Sequence, residues 1–475
     1  MSRPSSARVA ALGCAALAAC ASAPPATRTL EGAAEVLAAR GVEETLASLE
    51  WSASTLSLPP AEARSSPSMP GYWLARAVAF APDVRAARRA WREVRAARVG
   101  AGAPEPVFLQ AMDHAFSGSD PLFEAIAVFD VLGLAKLGPA AREVDAARAL
   151  EAQRLGELER AAWRAWLEVE RARVRTAFAA RRRAETAQLA ADAELDLARI
   201  EILERTGRIG AAAARSAEGA ALSVVRRATL GADAASDAAA ELSILSGLAN
   251  AGAMADACAF PEPLAQEPGA DPAELGASHP ELRALALTFE ARDAEVRLAA
   301  AGSWPMIGLG PHLGFPDGPG GSRSRVGGAL RMRLPFPSEW RSAIDAAVER
   351  REAAIDAYED RLFALNEHGR HAARRLERAR RRLTESSAPL DAATDAAWTA
   401  TRAAFRTGRA DVAVWRSALL ARADAIDARL ADEQSRALAG LHLIEASGPL
   451  ATPFASSRGA APDEGEGRAR LEVMP

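Results

Sequence analysis

With 475 residues, 49% of them apolar, the chain is long enough for several cores or for one elongated fold. A formal charge of -4 argues against nucleic acid as a partner, because such partners demand a basic surface. Of three cysteines, Cys14, Cys20 and Cys258, only the last lies beyond the first twenty residues. A single remaining thiol cannot form an internal disulfide, so the fold is expected to hold without one.

The first element is an address. Arg3 and Arg8 flank the start of an apolar run over residues 9–19 that is too short to span a bilayer and reads as a secretory signal. The run closes on Leu17-Ala18-Ala19-Cys20, similar to a bacterial lipobox, whose cysteine is acylated and becomes the mature N-terminus. Cleavage near Ala19 or Ala23 without acylation is the alternative, and Cys14 lacks the aliphatic residue three places before it. Residues 1–19 are thus expected as signal peptide and residues 20–71 as a lipidated, palmitate-bearing segment. One acyl chain binds a membrane reversibly, so firm anchoring needs a second element. Ala21 after the cysteine favours export to the outer membrane. No later stretch reaches eighteen consecutive apolar residues, so any crossing of a membrane has to be made by strands.

A first unit is expected over residues 72–251, opening on Ala81-Pro82-Asp83-Val84-Arg85-Ala86. Its hairpin, about residues 104–134, has strands at 107–116 and 122–132 around the turn Ser117-Gly118-Ser119-Asp120-Pro121. Val107, Leu109, Ala111 and Ala115 alternate with Gln110 and His114, whereas Phe108, Met112 and Phe116 interrupt the polar face. A strand pair in a soluble sheet therefore stays open for this hairpin. A helix follows over residues 139–203, about 65 residues or on the order of 100 Å, with Leu155, Leu158, Ala162, Trp166 and Val169 forming an apolar stripe. It ends at Thr206-Gly207-Arg208-Ile209-Gly210, where glycine suits a helix end because it adopts positive φ. A further helix and a Pro- and Gly-rich linker over residues 252–278 complete the half.

The second unit, residues 279–446, repeats this order. His279-Pro280-Glu281-Leu282-Arg283-Ala284 echoes the segment at Pro82, and Arg406-Thr407-Gly408-Arg409 echoes Arg205-Thr206-Gly207-Arg208, each about 200 residues later. In its hairpin, about residues 304–336, Ile307, Leu309, Leu313 and Phe315 alternate with Gly308, Gly310, His312 and Gly314. After a turn over residues 316–324, Val326, Leu330, Met332 and Leu334 alternate with Arg325, Arg331 and Arg333. This period of two is the pattern of strands with one face to lipid and one to a lumen, and the arginines would then face the lumen and favour anions. Each strand has the roughly nine to eleven residues needed to cross when tilted. The long helix over residues 338–405 places Val348, Ile355, Leu362, Leu376, Leu383 and Leu390 on one seven-residue register, a coiled-coil seam. Pro389 should kink or split it. Residues 447–475 have the composition of a disordered tail.

Four strands cannot close a barrel, and open edges in hydrocarbon leave unpaired amides and carbonyls that cost several kcal/mol each, so other chains must complete the wall. Three copies supply twelve strands, enough for an open lumen, since about eight merely fill with side chains.

In this order and spacing the chain resembles the TolC-like outer membrane efflux proteins, particularly lipoprotein members of tripartite pumps. The residues that carry the resemblance are the lipobox at Cys20 and the helix starts at Pro82 and Pro280. With them stand Gly102-Ala103-Pro104-Glu105-Pro106 ahead of a strand, the run from Val326 into Leu334-Pro335-Phe336-Pro337, and Phe405-Arg406-Thr407-Gly408-Arg409-Ala410-Asp411-Val412. The resemblance covers about residues 72–445. It implies a mainly α fold with a small transmembrane β part: a homotrimer whose α-helical barrel continues into one shared 12-stranded β-barrel. It further implies that tips at Thr206, Gly207, Arg208 and Gly210, and at Thr407, Gly408, Arg409 and Asp411, dock a periplasmic adaptor serving an inner-membrane pump. Some relatives carry acidic residues six and nine positions after the tip glycine; here those positions are Val414 and Ser417, with Arg416 between them, and Asp411 is the nearest carboxylate.

No constellation for catalysis converges in the sequence, and no cofactor is expected. His368 and His371, three apart on a helix beside Glu367, lack an evident third ligand. Gly318, Gly320 and Gly321 sit in a hairpin turn rather than between a strand and a helix. The function expected is passive conduction across periplasm and outer membrane. The alternative is a lipid-anchored periplasmic coiled-coil scaffold without a pore.

Overall fold

The computed structural model describes residues 70–101, 108–114, 122–130, 139–248, 251–255, 275–276, 279–303, 306–316, 325–333 and 337–448. The signal run, Cys20, the hairpin turns, most of the linker and all but the first two residues of the tail lie outside them.

Two helices, α1 (Pro70–Phe80) and α2 (Pro82–Gly100), precede strands β1 (Phe108–His114) and β2 (Leu122–Asp130). The 67-residue helix α3 (Pro139–Arg205) follows, then α4 (Ala211–Ser246) and a short α5 (Ala251–Met254). The second half runs α6 (Pro280–Ala301), β3 (Met306–Pro316), β4 (Arg325–Arg333), α7 (Pro337–Arg382), a π-helical turn (Leu383–Ser387), α8 (Ala388–Arg406) and α9 (Val412–Ser447). Both repeated Pro segments open helices with proline in the first turn, after a residue in extended backbone: Ala81 at ψ 130° and His279 at ψ 124°. Proline lacks the N–H that a first turn would leave unpaired, and it bars the residue before it from helical ψ.

Helix α3 is the central element, packed by α1, α2, α4, α6 and α9. Of the expected stripe, Leu158, Ala162, Trp166 and Val169 are buried and Leu155 is half-buried. Trp73 from α1 and Leu282 from α6 are fully buried at 0% exposure, so the core is drawn from both halves of the chain. Leu275, within the expected linker, clusters with Leu282 of α6 and Leu365 of α7. Close approach of α6 to α3 rests on Gly156, where an added Cβ would stand 2.7 Å from Leu287 Cδ1 and 3.2 Å from the Ala284 backbone.

The second seam departs from its expected register. Val348, Ile355, Leu362 and Leu383 are half-buried and Leu376 is buried, but Leu390 is 51% exposed. The cause is Pro389. Its ring and missing N–H disrupt the turn before it, and the chain takes up the misfit as a π-helical turn, which accommodates one extra residue. The inward row therefore slips by one, from Leu390 to Asp391, and continues through buried Trp398 and Phe405 at seven-residue intervals. The helix is shifted in phase instead of broken.

The strands form one antiparallel sheet in the order β1-β2-β3-β4. Its middle pair, β2 with β3, joins the two hairpins, so the repeats share a single sheet whose outer strands β1 and β4 each lack a second neighbour among the described residues.

A clamp at the start of α6 ties three helices. Glu281 accepts from Arg164 of α3 at 2.6 Å and from Arg361 of α7. Next to it, the buried His279 ring accepts from the Glu281 N–H at Nδ1 (3.2 Å) and meets the Glu445 carbonyl at Nε2 (2.9 Å). An N–H can only donate and a carbonyl only accept, which fixes a neutral ring protonated at Nε2. Burial lowers the His279 pKa. Burial alone would raise that of Glu281, but Arg164 and Arg361 hold it below the usual carboxylate range. Both groups thus stabilise the fold above their unfolded pKa values, about 6.5 and about 4.3, and lose that contribution as pH falls through their lower folded values. The helical melting temperature should drop between pH 7 and pH 5, and His279→Gln should flatten that part of the profile. An unchanged slope in the variant would rule out His279 as its source.

Candidate channel wall and docking tips

Strand register sets the wall. The pairing puts apolar positions opposite one another: Ile307 with Met332, Leu309 with Leu330, and Leu313 with Val326. Across β2 the same rows continue as Phe129, Ala125 and Phe123, opposite Leu309, Leu313 and Phe315. Leu309 and Leu330 are 48% and 65% exposed, so this apolar row is left uncovered by the described residues.

In the alternate rows, Arg325 stands opposite Gly314, Arg331 opposite Gly308 and Arg333 opposite Met306. Gly314 is paired on its other side with Glu124, and Gly308 with Asp130. Two of the three arginine positions are therefore flanked, one strand beyond a glycine and about 10 Å away, by an acidic position of the first hairpin. The second hairpin read by itself suggested a uniformly basic face. The alternation of Glu124, Ile126, Val128 and Asp130 was visible in the sequence, but the partner strand was not.

The two tips are the same structure made twice. At the first, the Arg208 N–H reaches the Leu203 carbonyl (2.8 Å) and the Gly207 N–H the Glu204 carbonyl (2.9 Å). At the second, Arg409 bonds to Ala404 (2.8 Å) and Gly408 to Phe405 (3.0 Å). This is a Schellman closure, whose left-handed residue is glycine at φ 68° and 77°. Thr206 and Thr407 turn their hydroxyls back onto Ile202 and Ala403, satisfying carbonyls of the last turn. The halves differ at the next helix start. Asp411 caps α9 by accepting from the Val414 N–H at 2.8 Å, whereas Gly210 offers α4 no side-chain cap. The carboxylate nearest the second tip is thus engaged in capping. Val414 and Ser417 are exposed, and Arg416 reaches Ser216 of α4.

Behind the tips lies a buried carboxylate that pattern reading passed over. Asp196 of α3, 2% exposed, accepts from Arg402 (3.0 Å) and Arg406 (3.0 Å) of α8 and from the indole N–H of Trp415 on α9 (3.1 Å). Arg402 also pairs with Asp192 at 2.7 Å. Trp415 packs on Trp398 and Phe405 with ring centroids 6.1 and 5.9 Å away. The signal was present: Asp196 interrupts the buried row Ala190, Ala193, Ile200 on α3. A charge on such a stripe has to meet partners from another element.

His368 and His371 are both exposed, and among the described residues no three His, Cys, Asp or Glu converge on a metal position. No described helix is long and apolar enough to cross a membrane.

Residues 272–449 match the family model for outer membrane efflux proteins. That stretch, in the second half of the chain, is where the likeness to the family lies. A membrane protein from Pseudomonas aeruginosa superposes with a TM-score of 0.68 at 18% identity, over 82% of this chain and 94% of that one. The outer-membrane channel OprN does so at 0.67 and 17%, over 85% and 95%. The MtrE outer membrane channel of Neisseria gonorrhoeae, in its open state, gives 0.62 and 15%, over 79% and 88%. No curated protein matches the sequence. Because these superpositions span most of the chain, the fold shared with these structures takes in the first half as well, which the family model does not reach.

Asp196→Ala takes their acceptor from the Arg406 guanidinium and the Trp415 indole N–H and leaves Arg402 with Asp192 alone. Loss of one partner from a buried ion cluster costs roughly 3 kcal/mol or more. The expected result is a lowered midpoint of helical unfolding in detergent, with Asp196→Asn intermediate; an unchanged midpoint for the alanine variant would show that the cluster does not fasten α3 to α8 and α9.

Proposed function

We propose that the chain is one protomer of an outer-membrane efflux channel that conducts passively, with energy supplied by an inner-membrane pump through a periplasmic adaptor. The observation that carries this reading is the sheet: four antiparallel strands, contributed by both halves, with alternating apolar rows and two edges unpartnered among the described residues. Such edges are untenable in a bilayer unless another copy pairs with them, and three copies give a closed wall of twelve. The similar structures support it, since OprN is an outer-membrane channel and MtrE an outer membrane channel seen in its open state.

The rest of the machinery follows in the same reading. Cys20 carries lipid and tethers the N-terminus to the outer membrane. Leu195 and Ile202, exposed apolar residues seven apart on α3 near the first tip, are covered by a neighbouring protomer in the helical barrel. Thr206, Gly207, Arg208 and Gly210, with Thr407, Gly408, Arg409 and Asp411, form the docking ends for the adaptor. Arg325, Arg331 and Arg333 line the lumen at the strands, and selectivity there follows from width and charge. No step of chemistry is assigned to the chain.

Extraction of the outer membrane in detergent, with unboiled and boiled samples compared on a gel, tests the assembly. A species of several chains that collapses to one on boiling is expected, with Cys20→Ser changing membrane retention but not the strands' assembly. A monomer that washes from membranes once Cys20 is replaced would leave a lipid-anchored scaffold as the reading.

A further inference from the structure

Between α7 and α9 lies a cavity of about 380 Å³ that neither the strands nor the tips account for. One wall is Arg375, Arg378 and Arg382, at positions i, i+3 and i+7 of α7; the other includes Ser435, Leu438 and His442, in the same spacing on α9. Helical geometry puts each set on one face, so the two faces look at each other. The wall is rich in cations and short of anions. Arg382 pairs with Asp432 at 2.8 Å, and the Arg378 Nε–H goes to the Arg374 carbonyl at 3.3 Å, leaving the rest of that guanidinium to the cavity. Arg375 has no carboxylate partner among the described residues. His442 is held neutral by burial and by Arg171 and Arg375, despite Glu445 nearby, so its ring can donate one hydrogen bond without adding a fourth charge.

We infer that this cavity binds a small soluble organic phosphate, with Arg375 and Arg378 gripping the phosphoryl oxygens and Ser435 and His442 contacting the remainder. Guanidinium forks match phosphoryl oxygens in bidentate geometry, and a cavity above about 300 Å³ exceeds what a bare ion fills. Position selects a soluble ligand over a lipid headgroup. Arg378 lies about 60 Å along the helix from the strand end of α7 at 1.5 Å per residue, far from the outer-membrane surface. That last step rests on the channel reading; the anion chemistry of the cavity does not.

The test is calorimetric titration of the full-length detergent-solubilised assembly at low salt with glycerol 3-phosphate, using glycerol as the uncharged control. Saturable binding of the phosphate and none of glycerol is expected, weakening as salt is raised. Arg375→Gln with Arg378→Gln should weaken it at least tenfold, whereas Arg370→Gln, on the same helix but paired with Glu367, should not. Both variants sit on exposed positions, and circular dichroism should show the parent's helix content. Absence of binding at millimolar phosphate would overturn the site, as it would if a carboxylate of a neighbouring chain already filled it. Equal loss in the Arg370 variant would reduce the effect to general surface charge and overturn it equally. Oligomer size on the same sample separates either failure from failure of the channel reading.

Discussion

Helices on the order of 100 Å long cannot be held by one compact core, and that constraint organises the molecule. Each must be fastened to neighbours at several levels along its length. Buried carboxylates set into otherwise apolar rows do part of this. Glu281 gathers arginines from α3 and α7, and Asp196 gathers arginines and an indole from α8 and α9. Such clusters add little net stability over a hydrophobic filling, because desolvation offsets most of the attraction. What they supply here is register: a helix that slid by one turn would bury a charge without its partner. Between these levels alanines and a few glycines let the helices approach closely.

The two halves run through the same order of elements and differ where the packing differs. Asp83 is exposed, while its counterpart Glu281 is the centre of a three-helix clamp. Gly210 starts its helix without a side-chain cap, while Asp411 caps its own. The first long helix runs uninterrupted, while the second absorbs Pro389 with a π-helical turn and re-phases its inner row. The Schellman tips, by contrast, are preserved bond for bond, as are the glycines at positive φ.

Much of this was legible in the sequence because it depends on period and punctuation. Alternation of two marked the strands, seven-residue spacing marked the helices, and repeated Pro and Gly segments marked their ends. Glycine at each tip followed from the need for a left-handed residue after a helix. What escaped were relations between distant segments. The pairing of β2 with β3, which sets Glu124 and Asp130 across glycines from Arg325 and Arg331, joins positions about 190 residues apart. Asp196 could have been noticed as a charge on a buried stripe, but not its partners on α8 and α9. Leu390 was misplaced because a seven-residue count takes no notice of the residue that a π-helical turn accommodates.

The claim on which the account turns is that copies of this chain enclose one water-filled path. Planar-bilayer recording of the purified, detergent-extracted assembly measures that path directly. Discrete conductance steps of uniform size, present for the native assembly and lost after boiling to single chains, are predicted. A fully assembled, heat-sensitive oligomer that inserts into the bilayer yet shows no step under any voltage, salt or pH would contradict it.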